Sequence, residues 1–342
     1  MEEFLRALRG GRSLILLLGL RRSGKTSLLQ TGLRVAGLPH VIFDAREMAH
    51  FPRASYADLL RVMERGFRRS LWKPGLLDHL RHIRGVRIEG LELRFEWGRD
   101  GRLHLGELFE AVDDWAGKRG ERVVLAFDEA QLLHRTPVNF PMLFAHVYDY
   151  LKNTLLVLTG SEVGLLHDFL GLEDSDAPLY GRHREEIRLQ RFDEATARDF
   201  LLKGFEQVGV LPPGEVLDYA VSRLDGIVGW LTEFGIRASK NPTKEAVEEV
   251  LREGKKLVLQ ELEYFLGVRG AAKGRYMAIL RRLARGPLSW EQLKEWVERE
   301  EGRPIYNKNF SDLLANLVKA GFVEQRERLY SISDPVLAHA LS

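Results

Sequence analysis

One stretch of the chain has the residue types and spacing of a phosphate-binding loop. Residues 19–26 read GLRRSGKT, a complete G-x-x-x-x-G-K-[ST] pattern between an apolar run and a helical pattern. Gly19 and Gly24 let the backbone bend so that its N–H groups point at phosphate oxygens, and the following helix adds positive potential. Lys25 is expected to reach the β- and γ-phosphates, and the Thr26 hydroxyl to ligate Mg²⁺. The alternative is a glycine turn with a surface lysine, which the flanking strand and helix patterns disfavour.

A second signal is an acidic pair at the end of an apolar run. Residues 123–127 read VVLAF and are followed by Asp128 and Glu129. In combination with the phosphate loop, Asp128 is predicted to hold Mg²⁺, usually through water, and Glu129 to polarise an attacking water. The alternative is that the two acids only cap a helix. A glutamate at this place favours ATP hydrolysis over a GTPase switch that uses a remote glutamine.

Two other motifs have candidate catalytic roles. The run Leu155–Leu158 ends in Thr159-Gly160-Ser161, where either hydroxyl could bond the γ-phosphate or the water; the alternative is a strand-ending turn. Arg182 follows a Pro/Gly frame, PLYG, that could present its guanidinium to a γ-phosphate in the same chain or a neighbour. Its alternative is an ion pair with Glu185 or Glu186.

The elements that must position these residues are predicted from apolar patterning. Short apolar runs without alternation are typical of strands buried on both faces of a parallel sheet. The stretch 86–95, VRIEGLELRF, alternates around a glycine and predicts an exposed hairpin inserted in that domain. The predicted sheet strands are Leu14–Leu18, His40–Phe43, Val123–Phe127, Leu155–Thr159 and Glu186–Leu189.

The rest of the chain changes character twice. From residue 191 to 267 only helical spacings recur, which predicts a small helical domain. From residue 268 to 342, three helical patterns and two short strands around a charged turn predict a winged helix-turn-helix. The predicted domains are therefore a P-loop core (1–190), a helical lid (191–267) and a winged helix (268–342).

The winged-helix segment is locally basic, with 13 Lys/Arg against 9 Asp/Glu. A helix in the major groove of double-stranded DNA and a wing on its backbone would suit this charge. Interleaved acids dilute the basic face, and winged helices also serve as protein-interaction or autoinhibitory modules, so both kinds of partner stay open. The candidate DNA-contacting residues are Lys308, Lys319, Arg326 and Arg328.

Composition excludes several classes of protein. The chain has 342 residues, a net charge of +2 and no cysteine, which excludes a whole-chain polycation, disulfide frameworks and thiolate chemistry. The charged first residues are not a secretory signal, and the longest early apolar run is too short for the roughly 20 residues of a membrane span. We expect a cytoplasmic protein with no membrane partner.

With these motifs in order along nearly the whole chain, the sequence resembles the archaeal ATPase family within the STAND/AAA+ group of P-loop NTPases. The resemblance is carried by GLRRSGKTSLLQ, VIFDAR, VVLAFDEAQLL, LTGSEVG, PLYGR and the closing YSISDPVL. It implies an α/β core with a parallel sheet, a helical lid and a C-terminal winged helix, with Glu129 as catalytic base.

The resemblance also implies ligand roles by position. ATP or ADP with Mg²⁺ would be the cofactor, Thr26 and Asp128 would serve the metal, and Thr159 with Ser161 would form the first sensor. The residues it assigns to the phosphates are Gly19, Leu20, Arg21, Arg22, Ser23, Gly24, Lys25, Thr26 and Ser27.

Two segments depart from the family pattern. Members commonly begin with a Phe-x-x-Arg-Glu-x-Glu-Leu segment that helps hold adenine, whereas this chain starts near its tail, so adenine recognition is left open. The lid motif Gly-x-Pro-x-x-Leu is here GIVGWL at 226–231, without the proline, and Trp230 is interpreted as lid core.

The functional hypothesis is an ATPase that hydrolyses ATP to ADP and phosphate, slowly in one version, with Glu129, Lys25, Arg182, Thr159 and Ser161 as catalytic candidates. The alternatives are a slow regulatory switch that binds a protein partner, or an origin-recognition-like DNA initiator. A nucleotide-dependent oligomer is included among the candidate assemblies, while the pathway and the cis or trans action of Arg182 stay open.

Overall fold

The computed structural model describes residues 1–51, 53–70, 75–89, 92–96, 103–267 and 269–342. Contacts divide the chain into two compact units. The first unit comprises Met1–Gly19 and Lys25–Leu189, and the second Leu20–Gly24 and Gln190–Ser342. The three domain ranges given by the sequence stay a prediction beside this division.

A parallel five-stranded sheet forms the centre of the first unit, in the order β2-β5-β6-β1-β7. Each of the five predicted strands is present, and no bound differs by more than one residue. The strands of the first unit are β1 (Leu14–Gly19), β2 (His40–Asp44), β3 (Val86–Glu89), β4 (Glu92–Phe95), β5 (Val123–Asp128), β6 (Thr154–Gly160) and β7 (Glu185–Leu189).

Both faces of the sheet are covered, which explains the uninterrupted apolar runs. In β1, Ile15 and Leu17 belong to one buried cluster, while Leu16 and Leu18 belong to another on the opposite face. The helices of this unit are α1 (Glu2–Arg9), α2 (Lys25–Ala36), α3 (Tyr56–Ser70), α4 (Leu76–Leu80), α5 (Leu105–Lys118), α6 (Phe140–Tyr150) and α7 (Val163–Leu170), with 3₁₀ turns at Ala45–His50 and Ala130–Arg135.

The hairpin predicted at 86–95 is present, but its predicted exposure is wrong. Strands β3 and β4 pair in antiparallel fashion, and the glycine of the turn lies outside the described residues. Val86 and Leu93 are buried in the core of the first unit, whereas Arg87 and Arg94 are exposed. The alternation that predicts a hairpin therefore marks one face as core.

The second unit contains the predicted helical segment. Asp193 begins the first helix by accepting a hydrogen bond from the backbone N–H of Thr196 at 2.7 Å. The helices of this segment are α8 (Glu194–Gln207), α9 (Gly214–Leu224), α10 (Val228–Arg237) and α11 (Lys244–Gly267).

The same unit contains the winged helix-turn-helix that the sequence predicts. Ser289 forms a capping box with Gln292 at the start of the second helix. Its short strands form an antiparallel sheet in the order β8-β10-β9. The elements are a 3₁₀ turn (Gly270–Ala272), α12 (Lys273–Leu283), β8 (Leu288–Ser289), α13 (Trp290–Glu301), α14 (Asn307–Lys319), β9 (Val323–Arg326), β10 (Leu329–Ile332) and α15 (Pro335–Leu341).

Helix α15 is an element that the sequence analysis did not assign. Asp334 caps it by accepting the N–H of Val336 at 2.8 Å, and Pro335 occupies its first turn, where a missing N–H costs nothing. The aspartate cap and the following proline are both visible in the sequence, so the start of this helix could have been predicted.

Candidate active site

The phosphate-loop pattern folds into a tight turn before α2. Gly24 has φ 88°, a conformation in which a side chain would be strained, and α2 begins at Lys25. The buried Lys25 ammonium donates a hydrogen bond to the carbonyl oxygen of Gly19 at 3.0 Å. The lysine thus spans the loop on the inside, where an anion would meet it.

The start of α2 meets the end of β5 through two oxygen-bearing side chains. The Thr26 hydroxyl donates to Oδ2 of Asp128 at 2.8 Å, and Asp128 is 1% exposed. Burial raises the pKa of Asp128, and the hydrogen bonds from Thr159 and Thr26 only partly offset this effect. A cation placed here would relieve the cost of the buried charge.

These two residues fit a magnesium site of the kind completed by a nucleotide. Mg²⁺ prefers hard oxygen ligands and is usually bound by one or two protein groups together with water and phosphate oxygens. One buried carboxylate and one adjacent hydroxyl supply such donors. Among the described residues, no group of three or more His, Asp or Glu side chains could hold a metal by itself.

Thr159, at the end of β6, joins the two acids of the β5 motif. Its hydroxyl donates to Oδ1 of Asp128 at 2.5 Å and accepts the backbone N–H of Glu129 at 3.0 Å. The strands β5 and β6 are parallel neighbours, so their carboxyl ends meet at one edge of the sheet. The single hydroxyl proton of Thr159 is therefore committed to Asp128.

Glu129 is held in a defined position by neighbouring donors. Its Oε2 accepts the hydroxyl of Ser161 at 2.6 Å, the N–H of Ser161 at 3.0 Å and Nε2 of Gln131 at 2.8 Å. Burial alone would raise the pKa of Glu129, but the Lys25 charge and these hydrogen bonds together lower it. The carboxylate is therefore ionised at neutral pH.

Gln131 and Arg46 are two site residues that the sequence reasoning missed. Gln131 is 3% exposed, and its Oε1 has no hydrogen-bond partner in the described part of the chain. Nε and Nη2 of Arg46 donate hydrogen bonds to the two carboxylate oxygens of Asp44 at 2.8 and 2.7 Å. Nη2 of Arg46 also lies 3.5 Å from Oδ2 of Asp128. Asp44 pairs with Asp128 across β2 and β5, so the position of VIFDAR at a strand end was the available signal.

Arg182 lies outside this cluster in the structure. Its guanidinium donates to both carboxylate oxygens of Asp149, at 2.9 and 2.6 Å, and to the carbonyl of Pro178. The ion pair with Glu185 or Glu186, weighed as the alternative, is wrong in its partner, because Arg182 pairs with Asp149 instead. Asp149 closes α6, far along the sequence, so no local spacing pointed to it.

The middle of the phosphate loop, residues 20–24, clusters with the second unit. Arg21 donates to the carbonyl of Ala320 at 3.0 Å, and Arg22 donates to Glu261 at 2.7 Å. Ser23 is buried, and its Oγ has no hydrogen-bond partner among the described residues. The loop is thus attached by side chains as well as by its backbone.

The four basic residues of the winged helix are distributed over α14 and the wing. Lys308, Arg326 and Arg328 are exposed, while Lys319 is half-buried. Arg326 is paired with Glu324 at 3.3 Å, so part of its charge is compensated. Among the described residues, no helix is long and apolar enough to cross a membrane.

Residues 2–234 match a family described as an ATPase domain predominantly from Archaea. The chain belongs to this family. Nucleotide binding is therefore implied for it, and the phosphate loop, the β5 acids and the β6 hydroxyls fall within the matched range.

Two solved structures are similar to this chain over nearly its whole length. The Walker-type ATPase Paby2304 of Pyrococcus abyssi has 33% identity and a TM-score of 0.82, over 99% of this chain and 95% of that one. The Aeropyrum pernix ORC2 protein, solved in ADPNP and ADP complexes, has 14% identity and a TM-score of 0.62, over 98% and 89%. A search of curated proteins finds no match.

The C-terminal segment matches separately. Residues 270–333 match the C-terminal winged helix-turn-helix domain of MCM proteins. The fold is an AAA+-like P-loop fold with a parallel five-stranded sheet, a helical lid and a C-terminal winged helix, as the sequence predicts.

Proposed function

We propose that this protein binds ATP with Mg²⁺ and hydrolyses it to ADP and phosphate, and that the nucleotide state governs what the winged helix binds. The observation that carries the proposal is the continuous hydrogen-bonded row Thr26–Asp128–Thr159–Glu129–Ser161 at the ends of β5 and β6. It combines a metal-ligand pair with an ionised carboxylate.

In the proposed reaction, the chain positions charges around an in-line attack of water on the γ-phosphate. Mg²⁺, held by Thr26 and Asp128, would neutralise negative charge on the phosphate oxygens when bound. Lys25 stabilises the same charge, and the backbone N–H groups of residues 20–24 orient the phosphates. Glu129, with its lowered pKa, accepts a hydrogen bond from the water and orients it.

A second candidate, a slow-hydrolysing switch, is favoured by one specific feature. Oε2 of Glu129 already accepts three hydrogen bonds, from Ser161 and Gln131. A base engaged in this way must exchange a donor before it can bind water through that oxygen. Hydrolysis through that oxygen would then wait for the β6 end to rearrange, and ATP and ADP would mark two long-lived states.

The decisive experiment measures ATP affinity and turnover of the full chain with and without Mg²⁺. Lys25→Ala is expected to lose both, and Glu129→Gln to retain binding while turnover falls by about 10²-fold or more. Lys152→Ala, an exposed lysine of the same unit, serves as the matched control. Wild-type protein that binds no ATP would refute the proposal.

The partner proposed for the winged helix is double-stranded DNA, contacted by Lys308, Lys319, Arg326 and Arg328. The fold and the match of this segment support the proposal. A protein partner, or an origin-recognition-like initiator role, are the alternative outcomes.

Binding of a duplex oligonucleotide over a salt series tests the DNA proposal. Lys308→Ala is expected to weaken binding across sequences and to reduce the salt slope by about 1, as loss of one phosphate contact would. Lys240→Ala, an exposed lysine of the lid, is the control. Equal binding by both variants, or none by the wild type, would favour the protein-partner alternative.

A further inference from the structure

An ion-pair cluster in the second unit joins the phosphate loop to the start of α15. The Arg22 guanidinium donates to Glu261 of α11 at 2.7 and 3.4 Å and lies 3.5 Å from Asp334. It also lies 4.4 Å from the ring centre of Trp230 in α10. One side chain of the loop therefore contacts the lid helices and the winged-helix segment together.

The backbone of the same residue is also fixed. Arg22 has φ 63°, in the left-handed region, and its carbonyl accepts the N–H of Gly229 at 2.8 Å. A Cβ at Gly229 would lie 2.6 Å from the Cβ of Arg22, so only glycine fits there. This close approach explains why the lid motif GIVGWL has a glycine at 229, at the start of α10.

Asp334 depends on this arrangement. Its carboxylate caps α15 through the N–H of Val336 and accepts Nε1 of Trp230 at 3.0 Å. Burial raises the pKa of Asp334, and the Arg22 charge is the strongest opposing influence. A guanidinium that turned toward a phosphate would leave this carboxylate, only 17% exposed, without its counter-ion, which is unfavourable.

We propose that Arg22 and Asp334 are positioning residues through which the winged-helix segment senses occupancy of the phosphate loop. The inference rests on the proposed ATP site and names the residues that regulate it. A polyanion in the loop competes with Asp334 and Glu261 for the Arg22 guanidinium, so nucleotide loosens the start of α15. If nucleotide changes the affinity for a partner that holds α15 in one arrangement, thermodynamic reciprocity requires that this partner changes the nucleotide affinity by the same factor.

Amide hydrogen exchange of the full chain, with and without saturating Mg·ATP, tests this coupling. In the wild type, ATP is expected to increase exchange over residues 334–341. The increase is expected to be absent in Arg22→Asn and in Asp334→Asn at concentrations that saturate each variant. Asparagine tolerates the left-handed backbone at 22 and keeps a cap acceptor at 334, so both variants should fold.

The outcomes separate this inference from the proposed function. An equal increase in wild type and variants, or ATP binding by the wild type without any change over 334–341, would overturn the role of Arg22 and Asp334. A wild type that binds no ATP would instead remove the proposed function and the inference with it.

A double-mutant cycle on the ATP dissociation constant gives an independent readout that a purely structural role would not move. In the wild-type background, Asp334→Asn is expected to change the ATP dissociation constant by about fivefold or more. In the Arg22→Asn background, the same substitution is expected to leave the ATP dissociation constant unchanged. Glu261→Gln should behave in the same way. Asp218→Asn, which breaks the surface pair with Arg198, is the matched control, and additive effects would contradict the coupling.

Discussion

Two aspartates, the buried Asp128 in one compact unit and Asp334, 17% exposed, in the other, show how different surroundings give the same side chain different capacities. Burial raises the pKa of both Asp128 and Asp334. Asp128 accepts hydrogen bonds from the neutral hydroxyls of Thr26 and Thr159, and the exposed Arg46 guanidinium, which is hydrogen-bonded to Asp44, lies 3.5 Å from its Oδ2. Asp334 is held by the Arg22 charge, an indole N–H and a helix N-terminus.

The difference lies in what each carboxylate can still accept. The hydroxyls are neutral and solvent screens the exposed Arg46, so most of the negative charge of Asp128 stays available to a divalent cation. At Asp334 the neighbouring Arg22 is only 15% exposed, so its charge is little screened, a further cation gains less, and the carboxylate responds to any group that attracts Arg22. The hydroxyl donors of Asp128 and the low exposure of Arg22 beside Asp334 therefore separate a candidate metal ligand from a candidate sensor of the loop.

The largest expected effect is that of Asp128→Asn. Turnover of Mg·ATP should fall by about 10²-fold or more because an amide is a much poorer ligand for Mg²⁺, while ATP binding without metal persists. The measurement is the Mg²⁺ dependence of both turnover and binding.

The matched control for this change is Asp113→Asn. Asp113 is also a buried acid of the first unit and accepts a hydroxyl, that of Thr154 at 2.7 Å. Its substitution should lower thermal stability and leave the Mg²⁺ dependence intact. Equal loss of the Mg²⁺ response in both variants would remove the distinction drawn for Asp128.

A smaller effect is expected when the donors to Glu129 are removed. Ser161→Ala deletes the 2.6 Å hydrogen bond and Gln131→Met the 2.8 Å one. Both bonds favour the ionised carboxylate, so their loss raises the pKa of Glu129 and moves the acid limb of the pH–rate profile to higher pH. The displacement should be larger for Ser161→Ala, and an unmoved limb would mean that Glu129 is not the titrating base.

The pH dependence of the unfolding free energy tests the raised pKa of Asp334. Because its pKa is raised above the ordinary value of 3.8, the folded state retains the proton longer than the unfolded state as pH rises. The wild type therefore loses stability between pH 3.8 and the raised pKa, by about 1.4 kcal/mol for each unit of displacement. Asp334→Asn lacks this loss, so its melting temperature relative to the wild type should climb over that interval. A constant difference would contradict it.

The smallest effect is expected for Asp149→Asn, which separates burial from partner type. Asp149 is paired with a guanidinium, as Asp334 is, but its side chain is 35% exposed. Exposed ion pairs contribute about 0–1 kcal/mol, so the unfolding free energy should change by no more than that.

Variants of Arg182 extend the same test to catalysis. Arg182→Ala should reduce turnover if this guanidinium serves a γ-phosphate, whereas Asp149→Asn should not. Mixing Arg182→Ala with Lys25→Ala restores activity only if the arginine acts on a neighbouring chain. Full activity of Arg182→Ala alone would remove this residue from the reaction.

The sequence predicted the sheet and the ends of its strands well because burial on both faces leaves a continuous apolar run that is local in the chain. The same holds for the phosphate loop, where the glycines and the lysine stand within eight consecutive residues. The exposure of the 86–95 hairpin was misjudged because alternation says that one face is apolar but not what covers it.

By itself, the sequence determined which residues have the chemistry for a nucleotide and a metal, and that they follow strands of a parallel sheet. Only the tertiary structure decided which donors hold them: Ser161 and Gln131 on Glu129, Asp149 on Arg182, and Asp334 on Arg22. Local spacing determines backbone conformation, because the interactions that fix it are between near neighbours. Ion pairs and buried hydrogen bonds join groups that the fold brings together from distant segments, and no periodicity in the chain encodes their partners.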